Sequence, residues 1–166
     1  RGGRGPPREE PSEASHQSSK PSSASSQGSS AYEERTREQR VEAKRRIQEF
    51  VKSMVKGKQL HVVLTSGQVR IVVATLSRTL DTLKLKAKAS DKQGRQIPLS
   101  AIEEILVGRD ACSSEVGLQT PADDLSVTLA LSTQECITFR MPDLEARDAM
   151  VMCFTMFSTE ARRTDT

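Results

Sequence analysis

The sequence predicts a mainly β fold with α, in which about seven short antiparallel strands are closed by an amphipathic C-terminal helix and preceded by a basic amphipathic helix. Three observations predict it. The hydrophobic period is helical up to Gly57, falls to two between there and Arg140, and becomes helical again after Pro142. The period-two runs are short, rich in Val, Ile, Leu and Thr, and separated by clusters of Gly, Ser, Asp and Gln. A chain of 166 residues accommodates one domain with appendages, since domains usually run to about 100–150 residues.

Residues 1–30 contain ten serines with Pro6, Pro7, Pro11 and Pro21 and almost no large apolar side chain. Such a tract cannot bury enough surface to offset the entropy of ordering it, and is expected to be disordered. Residues 31–56 read as a helix: Ala43, Ile47, Phe50, Val51, Met54 and Val55 form one stripe, and Gly57 offers a stop. Glu34–Arg37, Glu42–Arg46 and Glu49–Lys52 are spaced to pair along its surface, each worth about 0.2–0.5 kcal/mol. Arg37, Arg40, Lys44 and Arg45 flank the stripe. The helix either packs its stripe on the following domain or lies on a membrane with its basic flank toward headgroups. The concentration of the stripe in the last turns favours packing.

Leu60–Leu64 and Val69–Leu76 are strands joined by a hairpin turn at Thr65-Ser66-Gly67-Gln68. Thr82–Ala89 alternates, with Leu83, Leu85 and Ala87 on one face and Lys84, Lys86 and Lys88 on the other. A turn at Ser90–Gly94 leads to short runs at Gln96–Leu99 and Ile102–Val107, then a loop over Gly108–Asp124. Leu125–Leu131 and Cys136–Arg140 complete the strands. Ala146, Ala149, Met150, Cys153, Phe154 and Phe157 then form a full helical stripe, started by Pro142 and an N-capping Asp143. Met150 and Phe157 read as core. Met152 and Met156 read as gap-fillers or solvent-facing groups, the alternative being a partner-binding stripe.

The net charge of +3 conceals a gradient: +1 over residues 1–30, +4 over 31–58, +5 over 59–98 and −7 over 99–166. A basic middle implies an anionic partner. Several classes are excluded or disfavoured. No run approaches the roughly 18 apolar residues of a membrane-spanning helix. Cys112, Cys136 and Cys153 are too few and scattered for a disulfide framework or thiolate metal site, which favours a reducing, intracellular setting. His16 and His61 match no zinc spacing, and His61 alone in its strand reads as plain surface or a satisfied core group. With 3% aromatic residues, no tryptophan and five acidic residues in the basic helical segment, nucleic-acid binding is disfavoured. No nucleophile–His–acid set, paired-carboxylate motif, phosphate-cradling Gly loop or metal motif is present, so the chain reads as a non-enzyme without cofactor or metal.

The run Gln96-Ile97-Pro98-Leu99-Ser100-Ala101-Ile102-Glu103-Glu104-Ile105-Leu106-Val107-Gly108 resembles the fourth and fifth strands of the pleckstrin-homology domains of phospholipase C enzymes. Leu125–Leu131, Cys136–Arg140 and Asp143–Phe157 continue in that family's order, so the resemblance covers residues 57–160, with 161–166 as a tail. It implies a seven-stranded barrel-like sheet plugged by the C-terminal helix. The family's helix usually carries a tryptophan, and Met150 stands in its place here. A basic helix ahead of one such domain also resembles the acylated pleckstrin-homology proteins of apicomplexan parasites. That narrower resemblance implies a myristoylated or palmitoylated segment ahead of Arg1, which would carry a signal such as Met-Gly-x-x-x-Ser. It further implies a peripheral sensor of phosphatidic acid on the cytosolic face of an intracellular membrane, acting in microneme exocytosis.

The family's lipid site lies at the open end of the barrel, with a Lys near the first strand and Lys/Arg-x-Arg on the second. By resemblance the site residues here are Lys56, Lys58 and Arg70, with Lys84, Lys86, Lys88, Lys92 and Arg95 from the third strand and its turn. Arg37, Arg40, Lys44 and Arg45 of the helix would lie near the membrane. Val72 occupies the position of the second basic residue of the motif, which weakens the match to multiply phosphorylated inositol headgroups and favours phosphatidic acid or anionic membrane in general. The alternatives are a phosphoinositide-binding domain and a protein-interaction module on the same fold.

Overall fold

The computed structural model describes residues 28–110 and 122–166, with side chains described for 33–109 and 122–166. Most of the Ser/Pro-rich tract, the centre of the Gly108–Asp124 loop and Cys112 therefore lie outside the described residues. Two compact units are distinguished, Arg1–Arg37 and Glu38–Thr166. In the first, the described residues are helical.

Helix α1 spans Gly28–Lys56, starting three residues before the expected boundary. It stops because Gly57 takes φ +97°, a left-handed conformation that favours glycine, and its N–H bonds the Met54 carbonyl at 3.2 Å. The apolar stripe packs as one of the two expected readings required. Phe50 and Met54 are buried, and Ile47, Val51 and Val55 lie against the same core.

The seven strands are β1 Lys58–Val63, β2 Val69–Leu76, β3 Thr82–Lys86, β4 Arg95–Pro98, β5 Ile102–Val107, β6 Ser126–Leu131 and β7 Cys136–Arg140. They form one antiparallel sheet in the order β4-β3-β2-β1-β7-β6-β5. Alternation turns Leu60, Ala74, Leu76, Leu83, Ile97, Leu129 and Phe139 into the core. Between the two edge strands, a 3₁₀ turn at Leu99–Ala101 buries Leu99 and carries the chain from β4 to β5. The sequence places Leu99 at the end of the Gln96–Leu99 run and no element at Ser100 or Ala101; the strand instead ends at Pro98 and Leu99 opens the turn.

Helix α2, Leu144–Thr164, closes the core. The Asp143 carboxylate accepts from the Ala146 N–H at 2.7 Å, the predicted N-cap. Met150, Cys153 and Phe154 are buried, and Phe154 meets the Phe50 ring edge-on, with centroids 6.3 Å apart and planes at 83°. Met150 is fully buried, as its reading as a core residue requires. The helix continues past residue 160, with Ala161 packed on the core.

Strand β3 ends at Lys86, short of the expected Ala89. The Lys88 N–H bonds the Asp91 carboxylate at 2.8 Å and the Asp91 N–H returns to the Lys88 carbonyl at 3.1 Å, closing a local turn that competes with the ladder. Strand β1 begins two residues earlier than expected, at Lys58.

Candidate functional site

Antiparallel pairing fixes which turns share an end of the sheet. The β1–β2 turn (residues 64–68), the β3–β4 turn (87–94) and the β6–β7 turn (132–135) lie at one end. The start of β1 and the β2–β3 turn (77–81) lie at the other. An ion pair between Arg95, the first residue of β4, and Glu135 joins the β3–β4 side to the β6–β7 turn.

Against that frame the sequence-predicted cations separate into three groups. Lys56 is the last residue of α1, and Lys58 is the first of β1. The Lys58 ammonium stands 5.7 Å from the centroid of the Phe50 ring, a cation–π contact at the end of β1 away from the β1–β2 turn. Arg70 pairs with Val62 near that turn, whereas Lys58 pairs with Ala74. Four residues of strand, about 13 Å, therefore separate the two along the sheet. Alternation places Arg70 on the face of Val72, Ala74 and Leu76, with Val62 opposite and Val72 two positions on. Arg95 shares the inner face with Ile97 and is held by Glu135. The described geometry leaves one unpaired cation, Arg70, on the inner face beside the β1–β2 turn.

Lys84 and Lys86 form the second group, on the outer face of the sheet. Lys84 pairs with Thr75 and Lys86 with Val73. Both are half-buried, because the β3–β4 turn lies on their stems. A Cβ on Gly94 would stand 2.7 Å from Lys86 Cγ, 3.2 Å from Lys84 Cε and 2.7 Å from the Leu85 carbonyl oxygen, so glycine permits this approach and the two side chains run side by side. Lys88 and Lys92 follow in the turn, both exposed. None of these four lysines pairs with a carboxylate among the described residues.

Beside them lies a feature the sequence did not disclose. Val69 and Ile71 share the outer face of β2 with Val73, and are 48% and 56% exposed. Val73 is directly opposite Lys86, so aliphatic and lysine side chains form one continuous surface, bordered on β1 by His61, which pairs with Ile71. The run Val69–Leu76 is apolar on both faces, so its sequence alone does not reveal which residues face water. The available signal was register: Val69, Ile71 and Val73 alternate in step with Lys84 and Lys86.

On α1, Arg45 is held by Glu42 at 2.7 Å and Glu49 at 2.6 Å, and Arg46 by Glu42 at 2.9 Å. The hydrogen bonds from Arg45 and then Arg46 hold the Glu42 carboxyl at a pKa of about 2, well below the usual glutamate range. Arg40 and Lys44 are exposed on the same helix, and Arg37 is exposed in the first unit. Among the described residues, no group of His, Cys, Asp and Glu is arranged to hold a metal ion, and no helix is long and apolar enough to cross a membrane.

Seven antiparallel strands in this order, with a C-terminal helix filling the core, constitute a pleckstrin-homology fold. Inner membrane complex sub-compartment protein 1 of Toxoplasma gondii is similar in structure, with a TM-score of 0.59, 20% identity, and coverage of 69% of this chain and 91% of its own. Sub-compartment protein 3 of the same organism gives 0.56 at 16% identity, covering 72% and 87%. The pleckstrin-homology domain of PfAPH gives 0.47 at 18% identity, covering 71% and 92%. At these identities the likeness is one of fold. No family model matches the chain. No curated protein matches it in sequence.

Proposed function

We propose that this chain is a non-enzymatic, peripheral membrane-binding module that reads an anionic lipid surface through the outer face of β2 and β3. The observation that carries the reading is that Lys84 and Lys86 share the outer face of the sheet with the exposed aliphatic side chains of Val69 and Ile71, with Lys88 and Lys92 exposed in the turn that follows. Lysines near an anionic leaflet contribute about 1 kcal/mol each, and exposed aliphatics beside them can enter the headgroup boundary. Arg70, at the edge of the inner face, supplies a further cation, and Arg37, Arg40 and Lys44 strengthen attraction at longer range. Lys56, Lys58, Arg95 and Arg45 are secondary contributors, three of them already engaged by Phe50, Glu135 and the α1 carboxylates.

Phosphatidic acid is the headgroup this arrangement suits best. Its phosphomonoester is small and accessible, so a row of point-charge donors can meet it without the enclosed set of cations that an inositol polyphosphate requires. The membrane is then the cytosolic face of an intracellular organelle, with an acyl chain outside the present sequence as the second, constitutive anchor and microneme exocytosis as the process. A second reading places the module at an inner membrane complex, the compartment after which the two structures with TM-scores of 0.59 and 0.56 are named.

The test is sedimentation of the chain with phosphatidylcholine vesicles carrying phosphatidic acid, phosphatidylserine or a phosphoinositide at matched total charge. Greater retention by phosphatidic acid is the expected result. Equal retention by all anionic vesicles would reduce the reading to general electrostatic attachment. Retention no better than on neutral vesicles would overturn it and leave a protein-interaction module on the same fold.

A further inference from the structure

On the Glu38–Thr166 unit, α1 and the first half of α2 leave a groove of about 400 Å³ between them. Its apolar part is made by Ala43 and Ile47 of α1 and by Ala149 and Met152 of α2. Its rim carries four carboxylates, Glu38, Glu42, Glu145 and Asp148, against one guanidinium, Arg46. Met152 is 42% exposed, and Met156, one turn further along the same helix edge, is 43% exposed. The groove is lined by none of the cations assigned to the lipid surface.

We propose that this groove docks an amphipathic helix of a partner protein whose apolar stripe is flanked by Lys or Arg. Three features of the groove select that occupant. Two helices side by side present a trough of the shape that receives a third helix through anchors at i, i+3 or i+4 and i+7. Its most exposed apolar contact is Met152, whose unbranched thioether adapts to aliphatic anchors. Its carboxylates are unevenly satisfied. Glu42 is occupied by Arg45 and Arg46, and Arg147 holds Asp148 at 2.7 Å. Glu145 has one long contact, 3.3 Å to Arg46, and its side chain is 74% exposed. Glu38, also exposed, pairs with no cation among the described residues. Glu145 and Glu38 thus stand on opposite walls, one on each helix, where basic residues flanking an apolar stripe would reach them. An acidic rim repels anionic lipid, so this surface complements the lysine face instead of extending it.

The test uses the full chain and a labelled peptide of about 18 residues with leucines at i, i+4, i+7 and i+11 flanked by lysines, alongside a version flanked by glutamates and a scrambled basic version. Fluorescence anisotropy reports affinity. The basic amphipathic peptide is expected to bind at least about tenfold more tightly than either control. Met152→Asp and Glu145→Lys are each expected to weaken it about tenfold or more, whereas the Lys84, Lys86 and Lys88 triple change to Gln, which removes the lipid surface, is expected to bind the peptide as the native chain does. Glu145→Lys alters an exposed side chain, so its result does not depend on core packing. Equal binding of the basic, acidic and scrambled peptides would overturn the proposal. So would basic-peptide binding that survives both substitutions.

Discussion

Lys84, Lys86 and Lys88 replaced together by Gln separate a lipid surface on the outer face from one centred on Arg70 at the inner face. Glutamine keeps most of the stem that Gly94 packs against and removes only the charge. At about 1 kcal/mol per lysine, the triple variant loses about 3 kcal/mol of membrane attraction, or roughly 150-fold in partition coefficient. Arg70→Gln removes one cation on the opposite face and is expected to cost about 1 kcal/mol, roughly fivefold. Ile71→Ser tests the aliphatic contribution. Complete burial of such a side chain is worth about 1.5–3 kcal/mol, and at 56% exposure roughly half of that remains to be gained at a membrane. The assay is co-sedimentation with sucrose-loaded vesicles over a series of phosphatidic acid fractions, at two salt concentrations. The lysine effect shrinks at high salt, whereas the Ile71 effect persists. Retention of the triple variant at the native level, together with collapse of the Arg70→Gln variant, would refute the outer-face reasoning and return the headgroup to the inner rim.

Other consequences concern the scaffold. Phe50→Ala is expected to cost about 3–5 kcal/mol in urea unfolding, because the buried ring packs on both Phe154 and Lys58, and a Phe50→Leu/Phe154→Leu double-mutant cycle should return a coupling of about 0.5–1.5 kcal/mol. Gly94→Ala should destabilise by about 1–3 kcal/mol and weaken vesicle retention, since the new methyl group meets the Leu85 carbonyl and displaces the lysine stems. Burial pushes the Cys153 thiol up to about 11, so peptide-resolved alkylation at pH 8 should leave Cys153 unmodified until urea unfolds the chain. Glu42, held at about 2 by its arginines, contributes helix stability that is fully present above the ordinary glutamate value of 4.5 and lost as pH falls through 2. Far-UV circular dichroism at low salt should show that loss in native chain and not in Glu42→Gln.

The fold was legible because its elements are periodic and bounded. The α1 stripe ending at Gly57, the alternation of Leu83 and Leu85 with Lys84 and Lys86, and the Asp143 cap with its Met150–Phe154 stripe each state a face and an end. The Leu99–Ala101 turn was not legible, because its burial depends on helix α2, contributed from far along the chain. The site was legible only in part. The resemblance grouped Lys56, Lys58 and Arg70 as a lysine near the first strand with a basic residue on the second, while the antiparallel register sends Lys58 and Arg70 to different ends of the sheet. It grouped Lys84, Lys86 and Lys88 by alternation, which survives folding for the two that remain in β3.

Charge counting by segment also missed a division of labour between the two cations. Among the described residues every ion pair is made by an arginine: Arg45, Arg46, Arg95, Arg109, Arg140, Arg147 and Arg163. Arg140, for example, reaches Asp123 at 2.6 Å, where that carboxylate also accepts from the Ser126 hydroxyl. The planar guanidinium suits such directional pairing, and it spends much of the arginine charge on carboxylates of the C-terminal acidic part. The lysines make no such pairs, and four of them lie on or next to the β3 surface. A compact, mobile ammonium is well matched to a fluid headgroup layer, in which no fixed carboxylate geometry exists to be recognised. The basic field available to a membrane is therefore narrower than the +9 of residues 31–98, and is concentrated on one outer face of the sheet.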